Sequence, residues 1–107
     1  MAEPHDTLVN TADEAIRSWP DVRAKQVFGH RGFVKGGKMF AFFAEDGLAF
    51  KSADPAEAEA LYERGAARPF VYNTTMEMRA WPVVALTSDA ELTDALTHAR
   101  DAYEALA

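Results

Sequence analysis

The run Gly29-His30-Arg31-Gly32 is the segment of this 107-residue chain whose residue types come nearest to a binding loop. Two glycines around a cationic pair could let backbone N–H groups and Arg31 face an anion. The run has neither of the phosphate-loop spacings, GxGxxG or GxxxxGK followed by Ser or Thr. It also does not lead into a predicted helix whose N-terminus could help hold phosphate. Turn glycines are the stronger reading. Other chemistry-bearing side chains are dispersed. His5, His30 and His98 fall on a tail, a loop and a helix, without HExxH or paired-ligand spacing. Cysteine is absent, which excludes disulfides and thiolate metal sites. No GxSxG occurs, and the carboxylates sit on predicted helix faces where i,i+4 partners and solvent account for them. These residues predict no catalytic set, no metal site and no organic cofactor, so the expectation is a protein that is not an enzyme.

Composition sets the frame for that expectation. The length suits one domain spanning residues 1–107, and 49% hydrophobic with 26% charged residues is ordinary for a globular protein. The start MAEPHDTLVN is acidic and has no apolar h-region, so it does not read as a secretory signal. No stretch approaches the ~20 apolar residues of a spanning helix. A cytoplasmic location without membrane contact is the expectation. The net charge of −6 is unevenly distributed. Residues 1–22 sum to −4, residues 23–51 to +4 and residues 52–107 to −6. A basic central block is therefore flanked by acidic helical segments. Basic residues at a sheet edge are also a common device against edge-to-edge pairing.

The elements that position these residues are organised around Phe28–Lys51. Gly36-Gly37, between Lys35 and Lys38, is a two-residue hairpin signal, and Asp46-Gly47 is read as the second reversal through glycine's access to positive φ. Between them Met39–Ala44 is almost wholly apolar, with Met39, Ala41 and Phe43 on one face and Phe40, Phe42 and Ala44 on the other. Leu48 and Phe50 turn inward in the next strand. Before this block, a helix is predicted from about Asp6 to Ser18 on the stripe Leu8, Ala12, Ala15, Ile16 and Trp19, ended by Pro20. Val22–Lys25 then leads into a first strand, Lys25 to Phe28. After it, Asp54-Pro55 caps a second helix that ends at Gly65. Arg68–Tyr72 is an edge strand, and Asn73-Thr74-Thr75 turns into a long strand, Met76–Leu86. Ser88 and Glu91 form a capping box for a final helix with the stripe Leu92, Ala95, Leu96, Ala99, Tyr103 and Leu106. His98 falls beside that stripe, on the surface. The order α-β-β-β-α-β-β-α gives an α+β fold, two layers, an antiparallel sheet with packed helices. Met39 and Phe50 are both expected in the core.

The motifs taken together resemble the TfoX N-terminal domain family. Phe28-Gly29-x-x-Gly32-Phe33, Gly37-Lys38-Met39-Phe40-Ala41, Asp46-Gly47-Leu48-x-x-Lys51, Pro69-Phe70-x-Tyr72 and Met78-Arg79-x-Trp81 carry the likeness, from about Asp6 to Ala105. The GKMFA-type hairpin is also similar to that of MmcQ/YjbR-like proteins. The resemblance implies a secretion-chaperone-like two-layer fold and includes regulators of natural competence, in which a second domain follows; here the sequence stops after the last helix. It implies no catalytic residues. His30 stands where the family often has glycine.

Two functional readings follow. The preferred one is a small non-enzymatic regulatory or protein-interaction module, binding a protein partner or a second copy of the chain through the outer sheet face. The other is a nucleic-acid-binding module using the basic block 23–51, disfavoured by the net negative charge. The candidate interaction surface is Arg79, Trp81, Lys51, Lys38, Lys35, Arg31 and His30. Strict alternation in the last strand puts Met76, Met78, Ala80, Pro82, Val84 and Leu86 on the core face. Arg79 and Trp81 then share the outer face with Glu77 and Val83. A helix folded over that face, such as the first, would make Trp81 core instead.

Overall fold

A computed structural model describes residues 4–27 and 29–106, leaving aside the side chains of Pro4, His5 and Val27. The elements are α1 (Pro4–Arg17), β1 (Val22–Val27), β2 (His30–Lys35), β3 (Lys38–Ala44), β4 (Gly47–Phe50), α2 (Pro55–Glu63), β5 (Arg68–Tyr72), β6 (Met76–Ala85) and α3 (Asp89–Glu104). The fold is α+β, with one antiparallel sheet in the order β1-β2-β3-β4-β6-β5. Four strands precede α2, one more than the order α-β-β-β-α-β-β-α counts, and the first begins at Val22 rather than at the expected Lys25 and pairs along its whole length with β2. The expected strand end at Phe28 and the side chain of His5 lie outside the described residues.

Local chemistry accounts for the element ends. Gly36 and Gly37 take φ of 59° and 80°, which lets Lys35 pair directly with Lys38. Asp54 accepts from the Ala56 N–H at 2.9 Å and Pro55 opens α2. Gly65, at φ 72°, closes it. Ser88 accepts from the Glu91 N–H at 3.2 Å. The Glu91 carboxylate bonds the N–H of Thr87 at 2.9 Å and the Thr87 hydroxyl, and these bonds hold its pKa below the ordinary value.

One face of the sheet carries the helices. Leu8, Ala12 and Ile16 of α1, Leu61 of α2, and Ala95, Ala99 and Tyr103 of α3 pack on Phe33, Phe40, Phe43, Leu48, Phe50 and Val84. Tyr103 ties this layer together. Its ring meets Trp19 at 5.3 Å and Phe40 at 5.5 Å, and its hydroxyl donates to the Pro20 carbonyl at 2.7 Å. Trp19 is thus a packing anchor of the main core, as its place on the α1 stripe predicted.

Two irregularities depart from strict alternation. Phe33 pairs with Ala41 and Val34 with Met39, so Phe40 is an extra residue in β3. This bulge turns Phe40 to the helix side with Ala41 and Phe43, and Met39 outward with Phe42 and Ala44. The expectation that Met39 is core is corrected: it is half-buried at the rim of the outer face, whereas Phe50 is buried. The second irregularity lies in β6, where Pro82 pairs with Pro69 but Met78 pairs with Phe70. Arg79, Ala80 and Trp81 are unmatched on β5, and the alternation changes phase across them.

Gly47 also differs from expectation. It is the first residue of β4 and pairs with Ala44, so the turn residues are Glu45 and Asp46. Its need for glycine comes from β6 instead: a Cβ there would lie 2.2 Å from the Val84 carbonyl oxygen. Gly47→Ala must push β4 and β6 apart, since the obstacle is backbone. A loss of about 1–3 kcal/mol or more is expected in urea denaturation, and a parental midpoint would contradict the close approach.

Candidate functional site

The outer face of the sheet is the functional candidate, and its register can be followed rung by rung. Lys25, Gly32, Phe42, Ala49, Val83 and Arg68 pair in turn across all six strands and share this face. Phe42, Ala44, Ala49, Phe70, Trp81 and Val83 form a second hydrophobic cluster here, with Met39 and Met78 packed on it. Trp81 is only 9% exposed and Val83 2%. Among the described residues no helix side chain belongs to this cluster. The sheet covers itself: the Phe42 ring of β3 lies 4.8 Å from Phe70 of β5 and 5.2 Å from Trp81 of β6. Strands pair about 4.8 Å apart, so a flat sheet would hold the β3 and β5 backbones roughly 14 Å apart. The sheet must curl toward its outer side to bring these rings together. The curl leaves a trough of about 570 Å³, lined by His30, Ala44, Glu45, Arg68, Phe70 and Tyr72 among others.

The phase change in β6 separates two residues that strict alternation placed together. Arg79 stays with Glu77 on the α2 side, while Trp81 joins Val83 on the outer side. Arg79 forms a fork to Glu59 of α2, Nε to Oε2 at 2.8 Å and Nη2 to Oε1 at 2.5 Å, and also pairs with Glu77. Its guanidinium lies 4.9 Å from the Tyr62 ring centroid, and the Tyr62 hydroxyl donates to the Arg79 carbonyl at 2.7 Å. α2 therefore grips the irregular segment of β6 by side chain and backbone.

The seven residues of the predicted surface do not form one patch. Arg31 faces α1 and bonds Asp13 at 3.1 Å. Lys35 lies under the end of α3, where Nζ donates to the carbonyls of Tyr103 at 3.3 Å and Leu106 at 2.9 Å. A cation at a helix C-terminus is favourable there. Arg79 is held by α2, and Lys38 is exposed beside the Gly36-Gly37 turn. Only Trp81, Lys51 and His30 are outer-face groups; Lys51 Nζ sits 5.4 Å from the Trp81 ring centroid, and His30 lines the trough.

Several residues missed by sequence reasoning complete the face. Tyr72 pairs with Met76, and both lie on the side of Phe70 and Met78, at 43% and 60% exposure. With Met39 and Met78 they give a rim of sulfur and phenol around the buried cluster. Arg23 and Lys25 of edge strand β1 add two cations that make no ion pair among the described residues. No strand position on this face carries a carboxylate.

The profile of the TfoX N-terminal domain matches residues 14–106. The chain belongs to this family. No curated protein matches it. In this TfoX N-terminal domain charge divides by layer: the helices hold eleven carboxylates against Arg17 and Arg100, whereas the strands hold seven Lys and Arg residues against Glu77 alone. Among the described residues no helix is long and apolar enough to cross a membrane.

The Arg79 clamp has a pH signature. Arg79, chiefly through its hydrogen bonds, holds the Glu59 carboxyl below its ordinary value of 4.5. A depressed carboxyl contributes stability that is present above the ordinary value and lost as pH falls through the lowered one. Arg79→Met should therefore be less stable than the parent at neutral pH, with the gap closing in acid. Urea midpoints measured across that range test this, and a gap that persists or widens in acid would count against the clamp.

Proposed function

We propose that this domain is a non-enzymatic protein-interaction module whose outer sheet face docks an acidic, amphipathic segment of a partner protein, in a regulatory role of the kind the family resemblance implies. One observation carries this reading: Met39, Met76, Met78 and Tyr72 gather on one face, flanked by Arg23, Lys25 and Lys51 and by no strand carboxylate. Methionine adapts to varied apolar partners, and Tyr and Met are enriched at interfaces. The cations would select an acidic partner and speed its encounter. The nucleic-acid reading is weaker, since Arg31 and Lys35 of the basic block are held within the domain and Trp81 is too buried to stack on a base.

A synthetic amphipathic helical peptide with a Leu face and Glu elsewhere is the direct probe, with a Lys-for-Glu twin as control. The acidic peptide should bind, bind less well as salt rises, and lose about tenfold or more in affinity to Met76→Asp or Tyr72→Asp. Equal binding of the twin, or indifference to both variants, would overturn the proposal. Binding of single-stranded or duplex DNA without the peptide would favour the nucleic-acid module. A dimer in light scattering that Met76→Asp dissociates would assign the face to a second copy.

A further inference from the structure

On the helical side α3 packs against α1, while α2 packs over β6 and β5. The gap between α2 and α3 is a cleft of about 320 Å³. Its floor is Phe50 and Leu61, both buried. The His98 imidazole lies flat on the Phe50 ring, with centroids 4.9 Å apart and planes at 8°. Glu57 in the first turn of α2 and Arg64 at its C-cap line one side, and His98 and Asp101, three apart, come from one face of α3. The volume falls at the small end of the range for small-molecule sites.

Arg17, Arg31, Arg68, Arg79 and Arg100 are ion-paired, whereas Arg23 and Arg64 form no ion pair among the described residues. Glu57, Arg64 and Asp101 form no ion pair among the described residues, although they line the same cleft. Isolated surface charges are ordinary. Unpaired charges of both signs around one apolar floor suit a molecule that bears both signs.

We propose that the cleft between α2 and α3 binds a small zwitterion with an apolar body, of the free α-amino-acid class, with its carboxylate on Arg64, its ammonium on Glu57 or Asp101 and its apolar group on Phe50 and Leu61. Arginine matches a carboxylate bidentately, and charge-assisted bonds of this kind supply orientation as well as affinity. The site lies on the helical side of the sheet and does not depend on the docking face.

The test uses the full chain with L-phenylalanine titrated to ~20 mM, following the His98 and Phe50 ring resonances by NMR. Saturable shifts at both rings are expected. Phenethylamine and 3-phenylpropionate each lack one charge and should bind at least about tenfold more weakly. Arg64→Gln and the pair Glu57→Gln with Asp101→Asn change exposed groups, so they should keep the parental melt while weakening binding by a similar factor. The proposal is overturned if neither ring responds, if either single-charge analogue binds as well as the amino acid, or if the variants bind like the parent.

Discussion

The break in alternation at Arg79-Ala80-Trp81 is the constraint on which the two faces of this sheet depend. A regular β6 would send Arg79 and Trp81 to the same side, leaving either a buried guanidinium or an exposed indole. The three unmatched residues send Arg79 to the α2 carboxylate and Trp81 to Phe42. Burying an indole on the outer face normally requires another layer of structure. Here the curl of the sheet supplies it, and the extra twist and bend that bulges introduce are what permit the curl. The fork between Arg79 and Glu59, with the bond from Tyr62 to the Arg79 carbonyl, fixes the break from the helix side.

One consequence is a domain with two small cores and a division of charge. The helix-side core fills from all three helices, and among the described residues the outer cluster is built from strand side chains. The acidic groups follow the helices and the basic groups follow the sheet. A net charge of −6 therefore conceals a sheet layer of the opposite sign. Long-range steering responds to this local field more than to the net charge. That makes an acidic partner compatible with an acidic domain.

Much of the fold was legible because short-range signals decide it. Gly36-Gly37 sets a turn by backbone freedom, Asp54-Pro55 and Ser88 set helix starts by capping, and the α3 stripe has a clean helical period. The two bulges were not legible, because a period-2 reading of Met39–Ala44 or Met76–Leu86 has no local mark at which to change phase. Gly47 was assigned to the wrong cause for a related reason: the Val84 carbonyl that excludes a Cβ lies across the sheet. The candidate surface suffered most. Lys35 and Arg31 look like free cations in sequence, and only the fold brings them to the end of α3 and to Asp13. Met76 reads as a core residue by alternation and Tyr72 carries no local mark, since their exposure follows from the edge position of β5 and the hairpin tip. His98 and Phe50 lie far apart in the chain, and no spacing rule could stack them.

Ring-to-ring nuclear Overhauser effects on the folded chain test the self-covering sheet most directly. The curled sheet predicts cross-peaks from the Phe42 ring to both Phe70 and Trp81, and none from Trp81 to side chains of α1, α2 or α3. Cross-peaks from Trp81 to a helix, or no contact between Phe42 and Phe70, would contradict it and return the outer face to a flat or helix-covered surface.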